Sequence, residues 1–208
     1  MEVTLSPGQL LFEPESEITS VYFPGSACIS IVTPMMDGKV VETATVGRES
    51  AVGLIDVMTS QPARSRIFAQ ISGGAMRLSA QAFRAQMNQS PALIDLSLRH
   101  VRANMVQAEQ GAACNATHGV QGRLARWLLM TQDRVGADSF PLTQEYMAVM
   151  TGVQRSTVSL MASELKKRGV IDYARGDMRI LDRDALKHHA CECYGIIGRQ
   201  FEALRDGG

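Results

Sequence analysis

LTQEYMAVMTGVQRSTVSLMASELKKRGVI, residues 142–171, is the stretch on which the fold turns. Thr143 is placed to cap a short helix that ends near Met150, and Thr151-Gly152-Val153 makes a tight turn before a second helix over about Gln154 to Arg168. Ala148 is small where the second helix must pass over the first, and Gly152 enters a left-handed turn without the Cβ penalty. Val158, Met161 and Leu165 share the inward face of the second helix. The spacing predicts a helix-turn-helix.

The residues C-terminal to this motif narrow it. Val170 to Arg175 and Met178 to Leu181 read as two strands around a Gly176-Asp177 turn, the wing of a winged helix, with Arg175 and Arg179 flanking the turn and within reach of phosphates. Gln154, Arg155, Ser156, Thr157 and Ser159 stand on the exposed start of the second helix, and Thr143 and Gln144 open the first. All are hydrogen-bonding types. Arginine can bond guanine O6 and N7 bidentately and glutamine adenine N6 and N7, so the pattern suits the major groove of double-stranded DNA. A winged helix that contacts only protein has the same local pattern.

Upstream, Val120, Leu124, Trp127, Leu128 and Met130 mark one side of a helix over roughly Gly119 to Arg134. Before it, Ser90-Pro91 opens a longer helix, serine as cap and proline where its missing N–H costs nothing. Its stripe of Leu93, Leu96, His100, Val101, Met105, Ala108 and Ala112 narrows to small residues, as a seam between paired helices does; packing on the chain's own β domain is the alternative. Residues 1–74 instead show short β-rich runs such as Val21-Tyr22-Phe23, Cys28 to Val32 and Val40 to Ala44, separated by turn residues, with Asp37-Gly38 a hairpin candidate. The fold class is α+β: a jelly-roll-like N-terminal β-roll over 1–89, a long dimerisation-type helix over 90–117 and a winged helix over 118–208.

The 208 residues are 45% apolar and 20% charged with zero net charge, enough for a core and against general disorder. No apolar run is long enough to span a membrane and the first residues do not resemble a signal peptide, so a cytoplasmic protein without membrane contact is expected. Residues 142–187 hold 8 Lys/Arg against 6 Asp/Glu, whereas residues 1–89 hold 6 against 8, so the basic excess lies on the winged helix. Four scattered cysteines fit reduced thiols rather than a disulfide framework. Lys187-His188-His189-Ala190-Cys191-Glu192-Cys193 crowds metal-ligating types together, but on one helix Cys191 and Cys193 point about 200° apart. No metal and no cofactor is therefore expected, and His100 and His118 are read as ordinary polar residues. No nucleophile elbow, phosphate loop or metal-hydrolase helix is present, which argues against an enzyme.

The β-roll, the long helix and the winged helix with Leu142-Thr143-Gln144-Glu145, Gly152-Val153 and Arg155-Ser156-Thr157-Val158 together resemble the Crp/Fnr superfamily of bacterial transcription regulators. The resemblance implies a homodimer paired through the long helix, a two-fold symmetric operator, RNA polymerase as a further partner, and a small-molecule effector in a cyclic-nucleotide-binding-like domain. Arg155 matches the family's guanine-reading arginine and Thr157 a backbone-contacting position. Ser156 stands where many members have glutamate and Leu160 where they have a second basic reader, so the family's usual half-site does not carry over. In the sensor half, Val52-Gly53-Leu54 stands in place of phenylalanine-glycine-glutamate, followed by Arg64-Ser65-Arg66. Leu54 replaces the carboxylate that would hold a ribose, so the effector is unknown and is not expected to be cyclic AMP. A protein-interaction module of the same fold that binds no DNA is the alternative.

Overall fold

The computed structural model describes residues 1–38 and 40–206. The N-terminal half has seven strands: β1 (Glu2–Leu5), β2 (Leu10–Phe12), β3 (Ser20–Pro24), β4 (Cys28–Pro34), β5 (Val40–Val46), β6 (Arg66–Ile71) and β7 (Gly73–Ser79). They form two antiparallel sheets, ordered β1-β7-β3 and β2-β6-β4-β5. Phe12, Val21, Ile29, Val52, Ile67 and Ala69 fill the space between them, the inward-facing set that period-two alternation leaves apolar. A short helix α1 (Leu54–Thr59) and α2 (Ala80–Met87) cover this roll, the latter capped by Ser79 Oγ accepting from Ala82 N–H at 3.2 Å. The Asp37-Gly38 turn is not a two-residue hairpin. Pro34 pairs with Val40, so the connection is five residues long, although Gly38 does take a positive φ of 81°.

Helix α3 (Pro91–Thr117) starts as expected, with Ser90 Oγ accepting from Leu93 N–H at 3.2 Å and Pro91 in the first turn. The stripe read from sequence splits between two faces. Leu93 and His100 are half-buried, on the side of the helix where Ser97, Ala103, Gln107 and Cys114 are buried against the rest of the chain. Ile94, Leu96, Leu98, Met105, Ala108 and Ala112 stay exposed, Leu98 by 53% and Met105 by 56%, with Val101 half-exposed among them.

The second half contains α4 (Val120–Val135), β8 (Ser139–Pro141), α5 (Gln144–Thr151), α6 (Arg155–Lys167), β9 (Ile171–Ala174), β10 (Asp177–Ile180), α7 (Arg183–His189) and α8 (Cys193–Asp206). The small sheet is ordered β8-β10-β9, and Leu124, Leu128, Met147, Val158, Leu165, Ile171 and Met178 form the core beneath it. Gly152 caps α5 at φ 65°; a Cβ there would meet nothing within 4 Å, so backbone conformation, not crowding, calls for glycine.

Two local expectations are corrected. The wing turn is Arg175-Gly176, not Gly176-Asp177, because Ala174 pairs with Asp177 and the two residues between them have φ of 53° and 87°. That is a two-residue turn of the primed kind, whose twist matches the strands. Cys191 and Cys193 do not share one helix either: the chain breaks between α7 and α8, and Cys191 lies in the break.

The halves are tied by polar contacts. Trp127 Nε1 donates to Glu42 Oε1 at 3.0 Å, and the buried Arg134 pairs through Nε with Glu49 Oε1 at 2.7 Å and donates to Gln107 on α3. Gly47 permits this approach, since a Cβ would lie 2.4 Å from Arg134 Cβ. Tyr146 sets its ring 6.1 Å from that of Phe68. Helix α8 lies along α3 and α4 through Ala103, Met130, Ile197 and Phe201. Among the described residues no helix is long and apolar enough to cross a membrane.

Candidate nucleic-acid interface and sensor pocket

The start of α6 presents its polar residues to solvent. Gln154, Arg155 and Ser156 are exposed, and Thr157 and Ser159 half-exposed, while Val158, Ala162 and Leu165 are buried. Gln154 occupies the cap position without a side-chain cap bond, which leaves its amide free for other partners. Arg155 is held from the neighbouring helix: its Nε donates to Gln144 Oε1 at 3.1 Å. One edge of the guanidinium is thereby fixed while both Nη groups remain for an outward fork. Thr143 Oγ1 accepts from Tyr146 N–H at 3.2 Å and keeps its own proton to donate. Ser159 is committed locally, its hydroxyl donating to Arg155 O at 2.8 Å, so toward a ligand it can only accept.

The wing comes up beside these residues. Thr143, Gln144, Arg155, Arg175 and Gly176 line one shallow cleft of about 390 Å³, together with Glu145 and Tyr173. Arg179 is exposed on β10 opposite Asp172. Asp172 is engaged by Lys166 Nζ at 2.7 Å, and the lysine's hydrogen bond and charge hold its carboxyl below the usual range. Lys166, which also donates to Tyr173 O at 2.9 Å, is a tie between α6 and the wing that sequence reasoning missed.

In the β-roll a cavity of about 440 Å³ opens between the loops and α3. Gly53, Leu54, Arg64 and Ser65 line it; Arg66 does not, because it sits on β6 with its Nε 2.9 Å from Glu13 Oε2. Arg64 is almost fully exposed and only loosely paired with Glu15 at 3.6 Å. The walls are mainly apolar, from Ile31, Ala44, Val52, Ile67 and Val101. Sequence reasoning missed three polar residues on these walls: Asp56, whose carboxyl is pushed up by burial, His100, whose imidazole is pushed down by burial, and Asn104. His100 Nδ1 and Asn104 Oδ1 are buried without a protein partner.

Family models match both halves: the cyclic nucleotide-binding domain over residues 2–90 and the Crp-like helix-turn-helix domain over residues 122–189. The chain belongs to the Crp/Fnr superfamily. Among solved structures similar to this Crp/Fnr chain is FixK2 from Bradyrhizobium japonicum, 15% identical, covering 92% of this chain and 97% of that one with a TM-score of 0.78. TTHB099, a CRP-family transcriptional regulator from Thermus thermophilus, is 19% identical over 90% of this chain and 96% of its own, with a TM-score of 0.75. The c-di-GMP-responsive regulator CLP of Xanthomonas campestris is 14% identical over 86% and 93%, with a TM-score of 0.68. At such identities the likeness is one of fold. No curated protein sequence matches this Crp/Fnr chain.

Proposed function

We propose that this Crp/Fnr protein is a sequence-specific DNA-binding transcription regulator that works as a cytoplasmic homodimer on a two-fold symmetric operator. The observation that carries the reading is Arg155: exposed at the start of α6, aimed by Gln144, and sharing a cleft with Arg175 of the wing. A guanidinium fixed along one edge offers its remaining N–H groups to guanine O6 and N7, while Thr143, Arg175 and Arg179 suit phosphates and Gln154, Ser156 and Thr157 flank the reader. Pairing runs along the exposed seam of α3, where Ile94, Leu98, Val101, Met105, Ala108 and Ala112 recur at alternating spacings of four and three. Two such chains set their recognition helices into successive major grooves roughly 34 Å apart.

The effector is not cyclic AMP on this reading. Leu54 offers nothing to a ribose, and the cavity walls favour a mainly apolar molecule with a polar group that reaches His100 Nδ1 or Asn104 Oδ1. Because α3 supplies one wall of the cavity as well as the dimer seam, occupancy and pairing geometry share one helix, and a ligand shifts the population between dimer arrangements.

Gel shifts on fragments enriched by the protein from random DNA test the reading. A salt-dependent, sequence-preferring complex is expected, and Arg155→Ala should cost about 1 to 3 kcal/mol of specific binding and relax preference at one base pair per half-site. Equal loss on specific and random DNA removes the base-reading role. No complex at low salt favours a protein-interaction module instead.

A further inference from the structure

We propose that Cys114, His118, Cys191 and Cys193 form a closed tetrahedral site for a zinc ion, which fastens the C-terminal helix to the end of α3. Cys114 and His118 lie four residues apart at the end of α3, the spacing that puts two side chains on one helix face. Cys193 opens α8, and Cys191 lies in the break before it, which turns both thiols toward the same point. The four donor atoms all lie within 4.8 Å of one another. Cys114 Sγ is 3.5 Å from Cys191 Sγ, and Cys193 Sγ is 3.5 Å from His118 Nδ1. Zinc with sulfur at about 2.3 Å and nitrogen at about 2.0 Å has tetrahedral edges of roughly 3.5 to 3.8 Å, so the widest separation has to close by about 1 Å.

The surroundings suit the ligands. His118 Nε2 faces Glu192 Oε1 at 3.1 Å, which orients the ring and leaves Nδ1 free of its proton for a metal. Gln110 Nε2 donates to Cys193 Sγ at 3.0 Å, a bond that a metal-bound sulfur can go on accepting. Cys114 and Cys193 are wholly buried, and Cys191 and His118 half-buried, so the site is shielded yet reachable. A Cys114–Cys191 disulfide would use two of the four groups and leave the oriented imidazole and the third thiol without a role. Three thiolates and one imidazole make a set with no open position, as in structural zinc sites. Zinc uptake releases the thiol protons to solvent. The site sits where α3 hands over to α4, so the ion would brace that turn against the C-terminal helix.

Full-length protein purified with reductant and without chelator is expected to hold about one zinc per chain by mass spectrometry of the elements. Cobalt added to the stripped protein should give the intense visible absorption of tetrahedral cobalt thiolate. Cys191→Ser and His118→Ala, at the half-exposed positions, should lose the metal, and His118→Cys should retain it. Glu192→Gln should weaken zinc binding by about 10- to 100-fold against a competing chelator, with the melting temperature of the stripped protein unchanged. Zinc held fully by both Cys191→Ser and His118→Ala overturns the proposal. So does metal-free protein carrying a Cys114–Cys191 disulfide, or iron with acid-labile sulfide in place of zinc.

Discussion

The indole N–H of Trp127 on α4 donates to the carboxylate of Glu42 on β5 across 3.0 Å, joining two residues 85 positions apart. Burial pushes the Glu42 carboxyl up to about 7, against the hydrogen bonds from Ser30 and Trp127 that pull it down. An unfolded chain releases this proton near 4.5 and the folded one near 7, so the folded state binds more protons within that window. The resulting stability is complete below the lower value and is lost as pH rises through the upper one, by at most about 1.4 kcal/mol per unit. Urea unfolding at pH 5, 6, 7 and 8 should show this decline, and Glu42→Gln should flatten it; parallel profiles would remove Glu42 as its source.

Arg175 holds a left-handed conformation that disfavours side chains with a Cβ. Arg175→Gly is expected to leave stability unchanged or raise it by up to about 1 kcal/mol, relief of strain being offset by glycine's greater freedom when unfolded. DNA affinity should fall uniformly across sequences, and the salt slope should shrink by about one ion. An unaltered slope would mean that the wing arginine meets no phosphate.

Leu98→Glu and Met105→Glu place a charge on the exposed face of α3 and are expected to yield monomers that bind DNA weakly. Light scattering decides. Variants that stay dimeric would put the interface on another surface. Leu93→Ala, on the inward side of the helix and packed on the β-roll, should lower stability by about 1 kcal/mol while leaving the protein dimeric.

Cyclic AMP at millimolar concentration should not raise the melting temperature. A ligand at a hundred times its dissociation constant adds about 2.7 kcal/mol, which is several degrees for a chain of this size. Thermal scans with cyclic AMP, cyclic GMP and cyclic di-GMP make the comparison direct, and a saturable shift with cyclic AMP that Arg64→Ala abolishes would restore the nucleotide pocket.

The helix-turn-helix was legible because its determinants are local: a capping Thr143, a turn at Gly152 and an inward row of Val158, Met161 and Leu165. The two faces of α3 were legible only in part. Both faces carry apolar residues near its start, and a one-residue slip places Leu93 where Ile94 stands. The helix break before Cys193 left no trace, since no glycine or proline lies between His189 and Cys193; packing of α8 along α3 sets it, not local preference. Arg134 and Glu49 likewise meet from distant elements, and no spacing rule announces such a pair.

That pair bears on how the molecule can move. Arg134 lies between the two halves with its side chain only 4% exposed, while Glu49 is 17% exposed and both line a cavity of about 320 Å³. Drawing the halves apart pulls Glu49 away and leaves a buried guanidinium without its carboxylate, which costs several kcal/mol. Opening of this joint is therefore disfavoured. On the proposed reading, a signal from the β-roll passes with this joint closed, through α3.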